Sequence, residues 1–142
     1  MDGLHPRNLT RLMLNTSEEF LIPCTPLGCV ELINSTGFKI EGKRAVVIGR
    51  SRLVGKPMAA LLTNLNATVT LCHSFTTNLK EVVREADILV VAVGKRGVVR
   101  GEWIKEGSCV IDVGINTMSD EENKSDSKRT ITGDVSEFEV AL

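Results

Sequence analysis

From Val46 to Pro57 the chain reads Val-Val-Ile-Gly-Arg-Ser-Arg-Leu-Val-Gly-Lys-Pro, and this stretch constrains the fold more than any other. An apolar, β-branched run stops at Gly49, passes through a short polar turn, and reaches Gly55, where a helical pattern begins. The layout is strand, tight turn, helix. A glycine at the strand end permits close backbone approach, and a helix start presents unpaired N–H groups and a positive dipole end to an anion. Gly49 and Gly55 stand six positions apart with no glycine between them, unlike the three-glycine dinucleotide fingerprint. Arg50, Ser51 and Arg52 fill the turn instead and bring cationic donors to the anion site itself.

The rest of the chain extends the same rhythm. Strands are expected at 44–49, 67–72, 87–93 and 108–113, with helices at 55–65 and 77–85 and a short one near 101–106. The strands are continuous apolar runs, clearest in Ile88-Leu89-Val90-Val91-Ala92-Val93, and such runs suit a parallel sheet covered on both sides. The predicted fold is α/β: a Rossmann-like, doubly wound, mostly parallel sheet with helices on both faces. Ahead of it, Asn8 to Leu14 is expected to form a short helix and Phe20 to Pro23 an extended segment. Thr25 is placed at a helix N-cap with Pro26 at the first helical position, and Val30, Leu32 and Ile33 form the apolar side of that helix before Gly37 ends it. Asp120 to Arg129 reads as a mobile loop or hairpin tip, Thr130 to Thr132 as a last short strand, and Ser136 to Leu142 as an unfinished helix.

The second strand, Ala67 to Cys72, ends in His73-Ser74-Phe75-Thr76. Dinucleotide folds that prefer NAD carry an acidic residue about 20 positions after the glycine turn, where it accepts hydrogen bonds from the ribose. Here no Asp or Glu occurs between Gly42 and Lys80. A ribose 2′-phosphate, repelled by a carboxylate, is favoured by Arg50 and by the donors of Ser74, Thr76 and His73. The expected cofactor is therefore NADP. Arg50 and Ser74, at the ends of adjacent strands, are read as ligands, whereas Arg52 and Lys56 are read as solvated charges.

Composition narrows the partners. The 142 residues hold 17 basic and 18 acidic side chains, a net charge of −1, so no field favours nucleic acid or an anionic membrane. Cys24, Cys29, Cys72 and Cys109 show no paired metal spacing, and the two histidines, His5 and His73, lie far apart, so no metal site is expected. Cys72 and Cys109 fall in strand patterns as buried free thiols, which fits a reducing, cytoplasmic setting with a mitochondrial one as the alternative. Trp103 with Ile104 reads as packing against the sheet. Asp112 reads as a structural acceptor for nearby loop amides, and Asp134 as a structural residue that fixes the turn after the last strand.

The segments Pro23-Cys24-Thr25-Pro26, Gly49-Arg50-Ser51, Val54-Gly55-Lys56-Pro57, Cys72-His73-Ser74, Gly101-Glu102-Trp103, Val113-Gly114-Ile115-Asn116 and Gly133-Asp134-Val135 occur in an order that closely resembles one family. It is the bifunctional methylenetetrahydrofolate dehydrogenase/methenyltetrahydrofolate cyclohydrolase family, and the resemblance runs from Asp2 almost to Leu142. It implies that Gly49, Arg50, Ser51, His73, Ser74 and Ile115 contact NADP, with Ile115 doing so through its backbone. It also implies that Asp2 grips the pterin ring of a tetrahydrofolate one-carbon derivative, and that the protein pairs as a homodimer through its dinucleotide domain. The family's folate-binding half carries a Tyr-x-x-x-Lys motif with the catalytic lysine, and this chain has no tyrosine. The family's closing Pro-Val-Pro-Gly-Gly segment is absent as well. The expectation is a fragment without catalytic residues of its own. Residues 1–25 are a linker and remnant of the folate-binding domain; residues 26–142 are an NADP-binding domain truncated at its C-terminal end. An isolated NADP-binding module without catalysis is the competing reading. Another NADP oxidoreductase, such as a shikimate-type dehydrogenase, explains the glycine turn but not the Pro-Cys-Thr-Pro and Gly-Ile-Asn segments.

Overall fold

The computed structural model describes residues 2–117 and 131–135. The expectations for Asp120 to Arg129 and for Ser136 to Leu142 lie outside the described residues. Four parallel strands, β1 (Arg44–Ile48), β2 (Thr68–Cys72), β3 (Ile88–Val91) and β4 (Cys109–Asp112), form a sheet in the order β2-β1-β3-β4. The chain leaves β1 to build β2 on one side, then returns past β1 to build β3 on the other. In open sheets of this kind the crevice for ligands opens at the carboxyl ends of the strands where the order reverses. Gly49 stands at that point.

The continuous apolar runs are explained by two cores. Successive side chains of a strand face opposite sides, so Ala45 and Val47 of β1 and Ile88 and Val90 of β3 enter one core while Val46, Ile48, Leu89 and Val91 enter the other. The first core is covered by α2 (Cys24–Ser35) and α3 (Gly55–Asn64), through Cys29, Val30, Ile33, Met58, Leu61 and Leu62. The second is covered by α4 (Leu79–Arg84) and by a single 3-10 turn, Gly101–Trp103, with Val83, Trp103 and Ile104 packed into it. The doubly wound architecture with helices on both faces is thereby established. The last short strand expected at 130–132 does not join the sheet. Ile131–Thr132 (β6) pairs antiparallel with Asn116–Thr117 (β5) in a separate two-stranded ribbon.

Several local expectations need correction. Pro23, held in extended geometry at φ −55° and ψ 134°, is the cap of α2, and no side chain caps it. Thr25 therefore lies inside the first turn, and Pro26 sits third rather than first. That position is still tolerated, because first-turn N–H groups have no partner within the helix. The buried side of α2 is Pro26, Cys29, Val30 and Ile33, spaced by three and four; Leu32 falls on the opposite side and is exposed. Near 101–106 the expected helix is only the one 3-10 turn, closed by Ile104 N–H donating to the Gly101 carbonyl at 2.9 Å before Ile104 turns extended.

The N-terminal segment is docked. In α1 (Pro6–Leu14), Leu12 is buried in the first core, Asn64 Nδ2 of α3 donates to the Leu12 carbonyl at 2.8 Å, and Phe20 and Ile22 pack against the same core. Met13, Leu14 and Leu21 remain exposed. At the opposite end of the sheet, Lys105 Nζ (2.6 Å) and the Arg44 amide (3.0 Å) both donate to Asp87, and the Lys105 bond is the main reason its carboxyl is held below the usual carboxylate range. Burial pushes the Cys29, Cys72 and Cys109 thiols up, so none is predisposed to react as a thiolate.

The point where β1, its turn and α3 meet has no spare volume. A β-carbon on Gly55 would overlap the Gly49 carbonyl oxygen and lie 2.9 Å from the Arg50 Cα, both backbone atoms that cannot rotate away. Gly55→Ala is therefore expected to destabilise the chain by about 1–3 kcal/mol, the usual range for overpacking, measured as a lower denaturant midpoint with an unchanged slope. A wild-type midpoint would show that α3 is free to shift.

Candidate cofactor site

The site is built where β1 and β2 end side by side. Their register closes with Ile48 opposite Cys72, and one further bond follows, from the Gly49 amide to the Cys72 carbonyl at 2.9 Å. The two chains then part into Arg50-Ser51-Arg52 and His73-Ser74-Phe75. Gly49 has φ +114°, a conformation that favours glycine, and a β-carbon there would overlap the Ala92 carbonyl oxygen at the end of β3. Three backbones are thus gathered at one point, with the polar turns projecting beyond it.

Ser51 organises the β1 turn. Its Oγ accepts from the Val54 and Gly55 amides at 3.1 and 3.3 Å, and its carbonyl accepts from the Lys56 amide at 3.0 Å. Pro57 has no N–H, and the Met58 amide already donates to the Val54 carbonyl at 2.8 Å. This corrects the expectation that the helix start offers its own unpaired amides: Ser51 uses them. The turn amides of Arg50, Ser51, Arg52 and Leu53 are the ones without a hydrogen-bond partner among the described residues. An anion at this turn meets those amides and the Arg50 side chain.

The β2 turn is closed on itself. The His73 amide donates to Thr76 Oγ1 at 2.8 Å, the Thr76 amide returns a bond to the His73 carbonyl at 2.9 Å, and His73 Nδ1 accepts from the Phe75 amide at 3.2 Å. Thr76 is therefore committed to shaping the turn rather than to a ligand. Ser74, exposed, carries a hydroxyl with no partner among the described residues. Across the notch, the Arg50 guanidinium lies 5.8 Å from the Phe75 ring centre and forms no ion pair among the described residues. The His73 and Phe75 rings meet edge to face, 6.3 Å apart at 66°. Arg50, His73 and Phe75 thus form one cluster with Ser74 beside it. Arg52 and Lys56, both exposed, instead stand at an apolar groove of about 610 Å³ formed with residues of α1, α3 and β2.

On the other side, two aspartates fasten the ends of β3 and β4. Asp134 is fully buried and its Oδ2 accepts from the Val93 and Gly94 amides at 2.8 and 2.9 Å, which fixes the strand end that packs against Gly49. Asp112 accepts from the Gly114, Asp134 and Val135 amides at 2.9, 3.0 and 2.8 Å. Asp112 is the acceptor for loop amides that the sequence suggested; Asp134, read as fixing the turn after the last strand, holds the amides at the end of β3. Ile115 follows this knot with 76 % of its surface exposed. Asp2 is remote in role: its Oδ1 accepts from the Leu4 amide at 3.0 Å and its carbonyl from Asn8 Nδ2 at 2.7 Å, and it makes no hydrogen bond to the notch residues. Among the described residues no three His, Cys, Asp or Glu side chains gather in a ligating cluster. The residue that sequence reasoning passed over is Phe75; the available signal was a large aromatic immediately after Ser74 in an otherwise polar turn.

Comparison with known proteins gives this arrangement a family. Residues 23–141 match the model described as tetrahydrofolate dehydrogenase/cyclohydrolase, NAD(P)-binding domain. The chain belongs to this family. It is 58% identical over 124 residues to the bifunctional protein FolD of Listeria welshimeri, covering 87% of this chain and 42% of that protein. It is 50% identical over 135 residues to the mitochondrial C-1-tetrahydrofolate synthase of Saccharomyces cerevisiae, covering 95% of this chain and 14% of that protein. Among solved structures, the methylenetetrahydrofolate dehydrogenase-cyclohydrolase of Trypanosoma brucei, complexed with NADP cofactor and an inhibitor, superimposes with a TM-score of 0.88 at 40% identity, covering 98% of this chain and 47% of that one. The chain spans less than half the length of these relatives. Related proteins carry names that place them in cytoplasm, mitochondria and chloroplasts. No described helix is long and apolar enough to cross a membrane.

Proposed function

We propose that this chain is the NADP-holding part of an enzyme of one-carbon folate metabolism. The parent activity in this reading is oxidation of 5,10-methylenetetrahydrofolate to 5,10-methenyltetrahydrofolate, followed by hydrolysis to 10-formyltetrahydrofolate. Hydride acceptance is the chemistry that NADP supplies; the chain's own residues bind and orient it. The observation that carries the reading is a guanidinium, Arg50, and a hydroxyl, Ser74, that among the described residues have no ion pair and no hydrogen-bond partner, at the ends of adjacent strands within a span that holds no carboxylate. A 2′-phosphate fits that donor set, and the turn amides together with the close approach at Gly49 fit a pyrophosphate. His73 belongs to the same rim, Ser51 shapes the turn, and Ile115 contacts the cofactor through its backbone. In this reading residues 1–25 are the linker and remnant of the folate-binding domain, with Asp2 directed to the pterin, and 26–142 form the NADP-binding domain. The setting is cytoplasmic. With no tyrosine, and so no Tyr-x-x-x-Lys motif, the chain by itself binds cofactor without cyclohydrolase chemistry.

Calorimetry tests the cofactor assignment. NADP is expected to bind more tightly than NAD, and Arg50→Ala or Ser74→Ala to shrink that gap roughly tenfold or more, as the loss of a charge-assisted contact implies. Equal affinities in the unmodified chain would contradict it.

The assembly in this reading is a two-fold homodimer, the commonest closed arrangement. Its support is apolar surface without cover: Met13, Leu14 and Leu21 are exposed, and the groove beside α1 is lined mainly by Leu9, Leu12, Met13, Pro57, Val69 and Leu71 together with smaller and polar side chains. Sedimentation at micromolar concentration is expected to report a dimer, and a single monomeric species would overturn this part.

A further inference from the structure

Phe75 is the most exposed large apolar side chain of the described residues, with 79 % of its surface open, and burial does not account for it. Its position is nevertheless fixed. The amide of Phe75 donates to His73 Nδ1 at 3.2 Å, and the turn that carries it is closed by the reciprocal bonds between His73 and Thr76. The ring meets the His73 ring edge to face and lies 5.8 Å from the Arg50 guanidinium carbon. Arg50 sits on a turn whose order is set by Ser51, but among the described residues its own side chain has no hydrogen bond and no ion pair. Among the described residues the aromatic face is its one contact of electrostatic character across the notch. A long, flexible arginine left unheld loses side-chain entropy each time it clamps a ligand, and a contact that limits its rotamers beforehand reduces that cost.

We infer that Phe75 is a positioning residue for cofactor selection: its ring holds the Arg50 guanidinium over the β1/β2 notch, ready for a 2′-phosphate. The inference rests on the NADP reading of the site. It differs from a stacking role for the ring, because it makes the effect of Phe75 depend on Arg50 and on the 2′-phosphate. A cation over an aromatic face at an exposed site accounts for about a two- to fivefold effect on affinity, smaller than that of removing Arg50 itself.

The test measures dissociation constants for NADP and NAD by calorimetry on the 142-residue chain, with Phe75→Leu, Phe75→Tyr, Arg50→Ala and the double variant Arg50→Ala/Phe75→Leu. Phe75→Leu keeps apolar bulk but removes the aromatic face; it is expected to lower the NADP-to-NAD preference about two- to fivefold while NAD affinity stays unchanged. Phe75→Tyr, which keeps the face, is expected to retain the wild-type preference. In the Arg50→Ala background Phe75→Leu is expected to have no further effect, the signature of two residues acting as a unit. Melting curves confirm that each variant is folded, which the exposure of the ring favours. An unchanged preference in Phe75→Leu, an equal loss for both cofactors, or a full loss persisting in the Arg50→Ala background would each overturn the inference. A wild-type chain with no preference for NADP would overturn the cofactor reading and this inference with it, so the two failures are distinguishable.

Discussion

The contact on which the structure turns is backbone against backbone: the carbonyl of Gly49 lies where a side chain on Gly55 would otherwise stand, and Gly49 itself faces the Ala92 carbonyl. This close approach lets α3 begin directly above the end of β1 and lets β3 end beside it. Everything useful at the site follows. With no side chains filling the junction, the β1 and β2 turns spread apart above it, and the polar groups of Arg50, Ser74 and His73 stand at its rim. A bulkier junction would push α3 outward, separate Met58, Leu61 and Leu62 from the first core, and widen the notch that the turns frame.

A second constraint holds the far side. The strand ends beyond β3 and β4 have amides that sheet pairing cannot satisfy, and buried amides without partners are costly. Asp134 accepts from the Val93 and Gly94 amides beyond β3, and Asp112 from the Gly114 amide beyond β4 and from the Asp134 and Val135 amides of the returning segment. The packing is tight enough that a β-carbon on Gly114 would overlap the Asp134 carboxyl, and one on Gly133 the Asp112 carboxyl. Val98 N–H donates to the Asp134 carbonyl at 3.0 Å, and Val99 bridges to Val135, so the return segment is stitched to the second core as well. Rigidity at Val93-Gly94 thereby comes from residues some forty positions later in the chain.

The fold was legible because its signals are local. Continuous apolar runs mark strands buried on both faces, and the partition of Val46 and Val47 into different cores is the physical meaning of such a run. The positions of Arg50 and Ser74 at adjacent strand ends were legible for the same reason. What escaped the sequence depends on three-dimensional competition for hydrogen bonds. The Oγ of Ser51 accepts the amides at the start of α3, a turn-shaping role that the sequence does not announce, and Thr76, read as a donor, closes its own turn. Thr25 carries the chemistry of a cap, yet the extended geometry at Pro23 starts the helix before Thr25 can serve as one. Phe75 was invisible as a partner because its ring meets Arg50 only after β2 has paired with β1.

The central claim is that the notch between the β1 and β2 turns receives the 2′-phosphate of NADP. Its most direct test is a titration of the isotopically labelled chain followed by backbone amide chemical shifts, with NADP and NAD compared at saturation. The account predicts that both cofactors move the Gly49 to Arg52 amides, and that the differences between them concentrate at Arg50 and at His73 to Phe75. Differences spread elsewhere in the chain, or an absence of any difference at Arg50 and Ser74, would contradict it.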